Sequence, residues 1–201
     1  MIICTDPKPF PYLKIRNFYN PEELRLIWQE LDFLTHYNKM NPPEQTGQKG
    51  PHMKHNVGLF LDELYRDRKY SNILGVNRKL FSEEVVNAYT SLHITYNTYR
   101  LCNFDTTLVS YYENSSYYKS HHDLAVATSV TWIFKEPKKF KGGDFIFSQF
   151  NEKIEVENNM TVIFPSCMLH EVTSIEMDIS AIPYDGNGRY CLSNFVLFKG
   201  A

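Results

Sequence analysis

Nowhere in the 201 residues does an apolar run approach the roughly 18 residues that a membrane-spanning helix requires. The first ten residues reach Asp6 and Pro7 too soon to form the apolar stretch of a secretory leader. Charge of one sign is missing too: 21 Lys and Arg stand against 23 Asp and Glu, with no polybasic block. That balance excludes the phosphate backbone of a nucleic acid or an anionic membrane as the main partner. Cysteine is scarce and scattered, at positions 4, 102, 167 and 191, without the Cys-x-x-Cys pairing of a thiolate zinc site. Internal repeats, low-complexity tracts and linkers are also lacking. The expectation is one domain over residues 1–201 of a soluble, cytoplasmic protein with reduced cysteines and no nucleic-acid or membrane partner.

What is present divides in two. Residues 12–16 alternate as a strand, and Asn20, Pro21, Glu22 and Glu23 supply an N-cap, a first-turn Pro and two first-turn acids. A helix follows, on which Leu24, Ile27, Trp28, Leu31 and Leu34 form one apolar stripe suited to buttressing a sheet. Residues 38–56 are polar and rich in Asn, Pro, Gly and Gln, the composition of a loop or lid. A second helical region is predicted over 60–92, interrupted near Gly75 and restarted at Ser82, Glu83 and Glu84.

From about residue 98 the texture becomes short β-branched and aromatic runs, at 106–112, 127–134, 144–147, 154–156, 160–164 and 190–198. Such spacing predicts an antiparallel sandwich or barrel. The fold class is therefore mainly β with packed helices, a helical portion over about 17–97 leaning on a β core over about 98–199.

The chemistry gathers in the β half. His121 and Asp123 stand two apart at the end of a strand-like segment, and alternation would turn both to one face. His170 follows a strand that ends at Pro165, and a sheet folded back on itself brings it to the first pair. Two His and one carboxylate, leaving coordination positions open, form the donor set of non-haem Fe(II) oxygenases. Late in the chain, a strand opening at Arg189 places Arg189, Cys191, Ser193 and Phe195 on one face. A guanidinium there can bind a carboxylate through two parallel hydrogen bonds. The middle residue His122 is expected to face away from the metal, and His36, His52, His55 and His93 read as surface or packing residues.

Taken in order, Tyr112 through His121 and Asp123, then Gly142, Gly143 and Asp144, then Pro165 through His170, then Gly188, Arg189 and Tyr190, resemble the 2-oxoglutarate oxygenases of the prolyl 4-hydroxylase type. The resemblance covers residues 108–198. It implies a double-stranded β-helix, a cupin-like jelly roll, with Fe(II) held by His121, Asp123 and His170. It further implies 2-oxoglutarate as cosubstrate on Arg189, with Tyr112 projecting towards it and Ser193 near its chelating end. Dioxygen would be consumed, succinate and carbon dioxide released, and ascorbate is a further cofactor candidate. Three positions depart from the pattern: Ser115 stands where members often carry Gly, Ile133 where some carry Tyr, and the stretch from Val172 to Gly188 is longer than usual. The implied reaction is hydroxylation of an unactivated C–H bond, first of a prolyl residue in a peptide or protein. Alternatives are a free amino acid or other small metabolite, and a metal-binding jelly roll without turnover. Alkylated nucleic acid is disfavoured, because no further Arg follows Arg189.

Overall fold

The computed structural model describes residues 1–6, 10–36, 39–47, 52–178 and 184–199. Its first half supplies strands β1 (Ile2–Asp6), β2 (Tyr12–Arg16) and β3 (Val57–Phe60) and helices α1 (Pro21–His36), α2 (Leu61–Leu64), α3 (Asn72–Val76) and α4 (Glu83–Thr90). The second half carries β4 (Phe104–Tyr112), β5 (Tyr118–His121), β6 (Ala127–Ile133), β7 (Phe140–Gly142) and β8 (Phe145–Phe147). It continues with β9 (Glu152–Ile154), β10 (Met160–Pro165), β11 (His170–Val172), β12 (Ile175–Met177) and β13 (Arg189–Leu197). Among the described residues no helix is long and apolar enough to cross a membrane.

Helix α1 begins where its cap predicts. Asn20 Oδ1 accepts from the Glu23 amide at 2.9 Å and the Glu23 carboxylate accepts from the Asn20 amide at 2.7 Å, a reciprocal box that satisfies two otherwise unpaired donors. Ile27, Leu31 and Leu34 on its stripe are fully buried, which at roughly 1.5–3 kcal/mol per side chain is a substantial part of what holds the helix to the sheet. The expected helix over 60–92 is instead a set of short pieces. Val57 to Phe60 pairs with β4 as a strand, and side-chain caps restart the chain: Ser71 accepts from Leu74, and Ser82 from Val85. A 3-10 segment, Ile94–Leu101, precedes β4.

All strand pairs are antiparallel. A seven-stranded sheet runs β1-β2-β10-β6-β13-β4-β3, a four-stranded sheet runs β5-β11-β8-β9 and faces it, and β12-β7 closes one end. The large sheet separates two cores. Its outer face, with Leu13, Val109, Ile133, Ile163 and Leu192, packs on α1 and the short helices. Its inner face, with Trp132, Val162, Phe164 and Cys191, packs on Phe145, Phe147 and Val172 of the small sheet. Period-2 alternation thus gives one strand set two different faces. This is the jelly roll the sequence predicts, except that three strands of the first 60 residues extend its large sheet. Ile133 belongs to the outer core and faces the helices; its inward neighbours on β6 are Val130 and Trp132. Ser115 adopts φ +66°, the left-handed conformation for which Gly is the usual residue.

Candidate metal centre and anion pocket

β5 ends on His121 and β11 begins on His170, and the two are direct register partners across the antiparallel ladder. Their ring centroids lie 4.3 Å apart. Asp123 reaches the pair by another route than strand alternation, since β5 has already ended. Its amide donates to the Ser166 carbonyl at 2.9 Å, which anchors it beside the turn leading to β11. Its Oδ2 accepts from Thr128 Oγ1 at 2.7 Å, and Ser166 Oγ lies 2.8 Å from that hydroxyl, so Ser166 donates on to Thr128. Asp123 carboxylate oxygens then stand 3.9 Å from His121 Nε2 and 3.6 Å from His170 Nε2. Bonds of about 2.0–2.2 Å to a single transition-metal ion span those separations.

The imidazoles are set for metal rather than for protons. Each Nδ1 donates to a backbone carbonyl two residues earlier, His121 to Lys119 at 2.8 Å and His170 to Met168 at 2.9 Å, leaving the Nε2 lone pair for the site. Both pKa values are lowered to about 4, that of His170 chiefly by burial and that of His121 by burial first and by the neighbouring His170 second. Burial raises that of Asp123. Tyr118 stacks on His121 at 3.6 Å, while Phe145 and Phe164 flank His170. Among the described residues, these three form the one group of His, Cys and carboxylate side chains close enough to share an ion. His122 is exposed at the cavity rim, and His36, His52, His55 and His93 are exposed elsewhere.

Between the sheets lies a cavity of about 460 Å³, lined by the triad, by Tyr112, Cys191 and Ser193, and by Phe195 beyond them. The face of β13 read from the sequence is therefore its floor. Arg189, the first residue of that face, is fully buried directly opposite Tyr112 in the ladder, its guanidinium 4.7 Å from the Tyr112 ring centre. Nη1 donates to the Gly143 carbonyl. Nε and Nη2 have no partner. A guanidinium stays charged when buried, so these two parallel donors form a cationic fork that the Gly143 carbonyl and the Tyr112 ring compensate only in part. The Gly142 and Gly143 pair makes room for it. Both have positive φ, and a Cβ on Gly143 would lie 3.1 Å from Arg189 Nη1.

Several residues of the site carry little sequence signal. Thr128 and Ser166, which orient Asp123, are findable only through the inward alternation of β6 and the turn before His170. Trp132, inward on β6 and opposite Cys191, has a buried indole N–H without a partner. Of the polar stretch 38–56, expected to be a loop or lid, residues 38 and 48–51 lie outside the described residues. Its described parts are pinned: Met53 and His55 pair with Lys119 and Tyr117, Asn41 pairs with Gly58, and Thr46, Lys54 and Asn56 are buried. Lys54 Nζ donates to both the carbonyl and hydroxyl of Thr46 at 2.7 Å, and burial pushes its pKa down to about 8. Gln45, Thr46 and Gly47 roof the cavity.

No protein-family model and no curated protein sequence matches the chain. Solved structures do. A Pseudomonas putida prolyl-4-hydroxylase aligns over 92% of both chains with a TM-score of 0.64 and 14% identity. A Trichoplax adhaerens prolyl hydroxylase, in complex with a hypoxia inducible factor peptide fragment, aligns over 92% of this chain and 83% of its own, with a TM-score of 0.62 and 15% identity. The viral collagen prolyl hydroxylase of Paramecium Bursaria Chlorella virus-1, as a 2OG complex, aligns over 92% and 94% with a TM-score of 0.53 and 14% identity. At such identities the likeness is one of fold.

Proposed function

We propose that this chain is an Fe(II)- and 2-oxoglutarate-dependent dioxygenase that hydroxylates a C–H bond, with a prolyl residue of a peptide or protein as the first substrate choice. The observation that carries the reading is the Arg189 fork: a buried cation with two unpartnered donors, on the same strand face as the floor of the cavity that holds a two-His, one-carboxylate cluster. A metal alone leaves that cation only partly compensated, whereas a dicarboxylate satisfies it.

In this reading His121, Asp123 and His170 hold Fe(II) and leave the remaining positions open. When bound, iron and 2-oxoglutarate together supply the oxidising chemistry: dioxygen is consumed, the cosubstrate leaves as succinate and carbon dioxide, and one oxygen atom enters the substrate C–H bond. The chain's own work is binding and exclusion. Arg189 Nε and Nη2 take the distal carboxylate of 2-oxoglutarate as a bidentate pair. Burial raises the Tyr112 pKa, so its hydroxyl stays protonated and able to donate to the same group. Ser193 lies further along the floor, towards the other end of the cosubstrate. Phe145 and Val172 wall the inner cavity with apolar surface and keep water from it. The prolyl choice draws support from the solved relatives, one of which holds a peptide.

The test is turnover. Protein loaded with Fe(II) should consume 2-oxoglutarate and release succinate in equal amounts, and His170→Ala should do neither. Consumption that proceeds equally in iron-free protein would refute the proposal.

A further inference from the structure

The cavity has a second arm that neither metal nor cosubstrate accounts for. Past Ser193 the inner face of β13 continues through Phe195 to Leu197, with Leu108 and Thr106 of β4 alongside and Phe60 of β3 beyond, its ring 6.3 Å from that of Phe195. From Ser193 to Leu197 the strand advances about 13 Å, leading away from Arg189.

Two features describe what this arm accepts. Among the described lining residues of the whole cavity, the only carboxylate or fixed cation is Asp123, already committed to the triad. The Lys54 ammonium, packed behind the roof, donates to the Thr46 carbonyl and hydroxyl. A free amino acid would bring an ammonium and a carboxylate into a space whose described lining offers no uncommitted charge to pair with either, an unfavourable desolvation. The second feature is Leu124, which follows the metal-binding Asp123 on the rim and is 87% exposed, a large apolar side chain placed at the entrance without cover.

Resting on the oxygenase reading above and on the peptide substrate proposed there, we infer that apolar residues beside the reacting position fill the arm formed by Phe60, Leu108, Phe195 and Leu197, with Leu124 at the entrance. Specificity then comes from uncharged flanking side chains, and free zwitterions are rejected.

The experiment uses the full chain loaded with Fe(II) at saturating 2-oxoglutarate. Probes are N-acetylated, C-amidated nonapeptides with a central Pro and either Leu and Phe or Asp and Lys at the flanking positions, together with free proline and free leucine. Apolar-flanked peptides should stimulate 2-oxoglutarate consumption over the substrate-free rate at least about tenfold more than the other probes, the weight of one good apolar contact. Leu124→Gln, an exposed change that leaves the core intact, should raise the concentration of apolar peptide needed for half-maximal stimulation several-fold. The inference is overturned if charged peptides or free amino acids stimulate as well, or if no apolar peptide stimulates. Failure of Mn(II)-loaded protein to bind 2-oxoglutarate in a calorimeter would instead mark failure of the oxygenase reading itself.

Discussion

Replacing Arg189 with Met separates the charge of this residue from its bulk. The wild-type apoprotein buries a guanidinium with two donors unpaired, each costing about 1–3 kcal/mol. Against that stand the Nη1 bond to Gly143 and the face of Tyr112, together worth about 1–3 kcal/mol. The two unpaired donors together cost about 2–6 kcal/mol, more than those contacts return, so Arg189→Met should be at least as stable as wild type without ligand, as is common when buried charges give way to apolar groups of similar volume.

With ligand the two proteins part. For Mn(II)-loaded wild type at 2-oxoglutarate a hundred times its Kd, mass action adds about 2.7 kcal/mol, which for a chain of this size raises Tm by roughly 5–11 °C. Losing two charge-assisted hydrogen bonds at about 1.5–3 kcal/mol each weakens binding by at least about a hundredfold. At the same 2-oxoglutarate concentration the added stability of the variant falls below about 0.5 kcal/mol and its shift to about 1–2 °C. Thermal unfolding of both proteins with and without 2-oxoglutarate reads all four states. An Arg189→Met protein with the wild-type ligand shift would remove Arg189 from the cosubstrate site, and a ligand-free Tm far below wild type would show that the guanidinium is compensated after all.

His170→Ala and Asp123→Ala should each abolish tight Mn(II) binding while His122→Ala, on the exposed rim, should leave the metal Kd within about twofold; isothermal titration separates ligand from neighbour. Thr128→Val removes the hydroxyl that holds Asp123 Oδ2 and should weaken metal binding about 10–100-fold without changing the donor set, read in the same titration. Acid should destabilise the metal-free protein. His121 and His170 titrate near 4 when folded and near 6.5 when unfolded, so the unfolded chain is the stronger proton binder between those values. Each imidazole then removes up to about 1.4 kcal/mol per pH unit as pH falls through that window, offset in part by Asp123, whose raised pKa works in the opposite direction. Tm measured from pH 7 to 4.5 should fall, and His170→Gln should flatten the slope.

Strand β13 shows why part of this site was legible. It runs for nine residues, long enough for alternation to register, and alternation alone put Arg189, Cys191 and Ser193 on a common face that proves to be the inner one. The α1 stripe and its cap were legible for a similar reason, a strong period with an explicit start. Strands β7, β11 and β12 span three residues each, too few for any period to register. The run predicted at 154–156 lies instead at Glu152–Ile154, where a turn decides the pairing with β8. Residues 39–47 and 52–56 do lie outside the long regular elements, as their composition predicts, but composition reports solvation in isolation and did not disclose which of their side chains are buried. Thr46 and Lys54 satisfy one another, whereas the Asn56 amide is buried with neither of its polar atoms paired.

The two-faced sheet also explains how the chain tolerates so poorly satisfied an interior. Beside the apolar residues that pack on the small sheet, the inner face carries the unpaired donors of Arg189 and Trp132 and a pair of neutral imidazoles. β13 and β6 are held in register by their own ladder of paired residues and are backed by the opposite face. Tyr190, Leu192 and Val196 pack with Ile133 and Ala127 against Ile27, Leu31 and Leu34 of α1, all buried. Because the outer core is apolar and closed, the strands keep their alignment whether or not the cavity is filled, and the geometry of the Arg189 fork and the triad is set before any ligand arrives. The helical first half is thus a working part of the site despite contributing few side chains to it: it supplies the stability against which an unsatisfied, ligand-demanding inner face can be maintained.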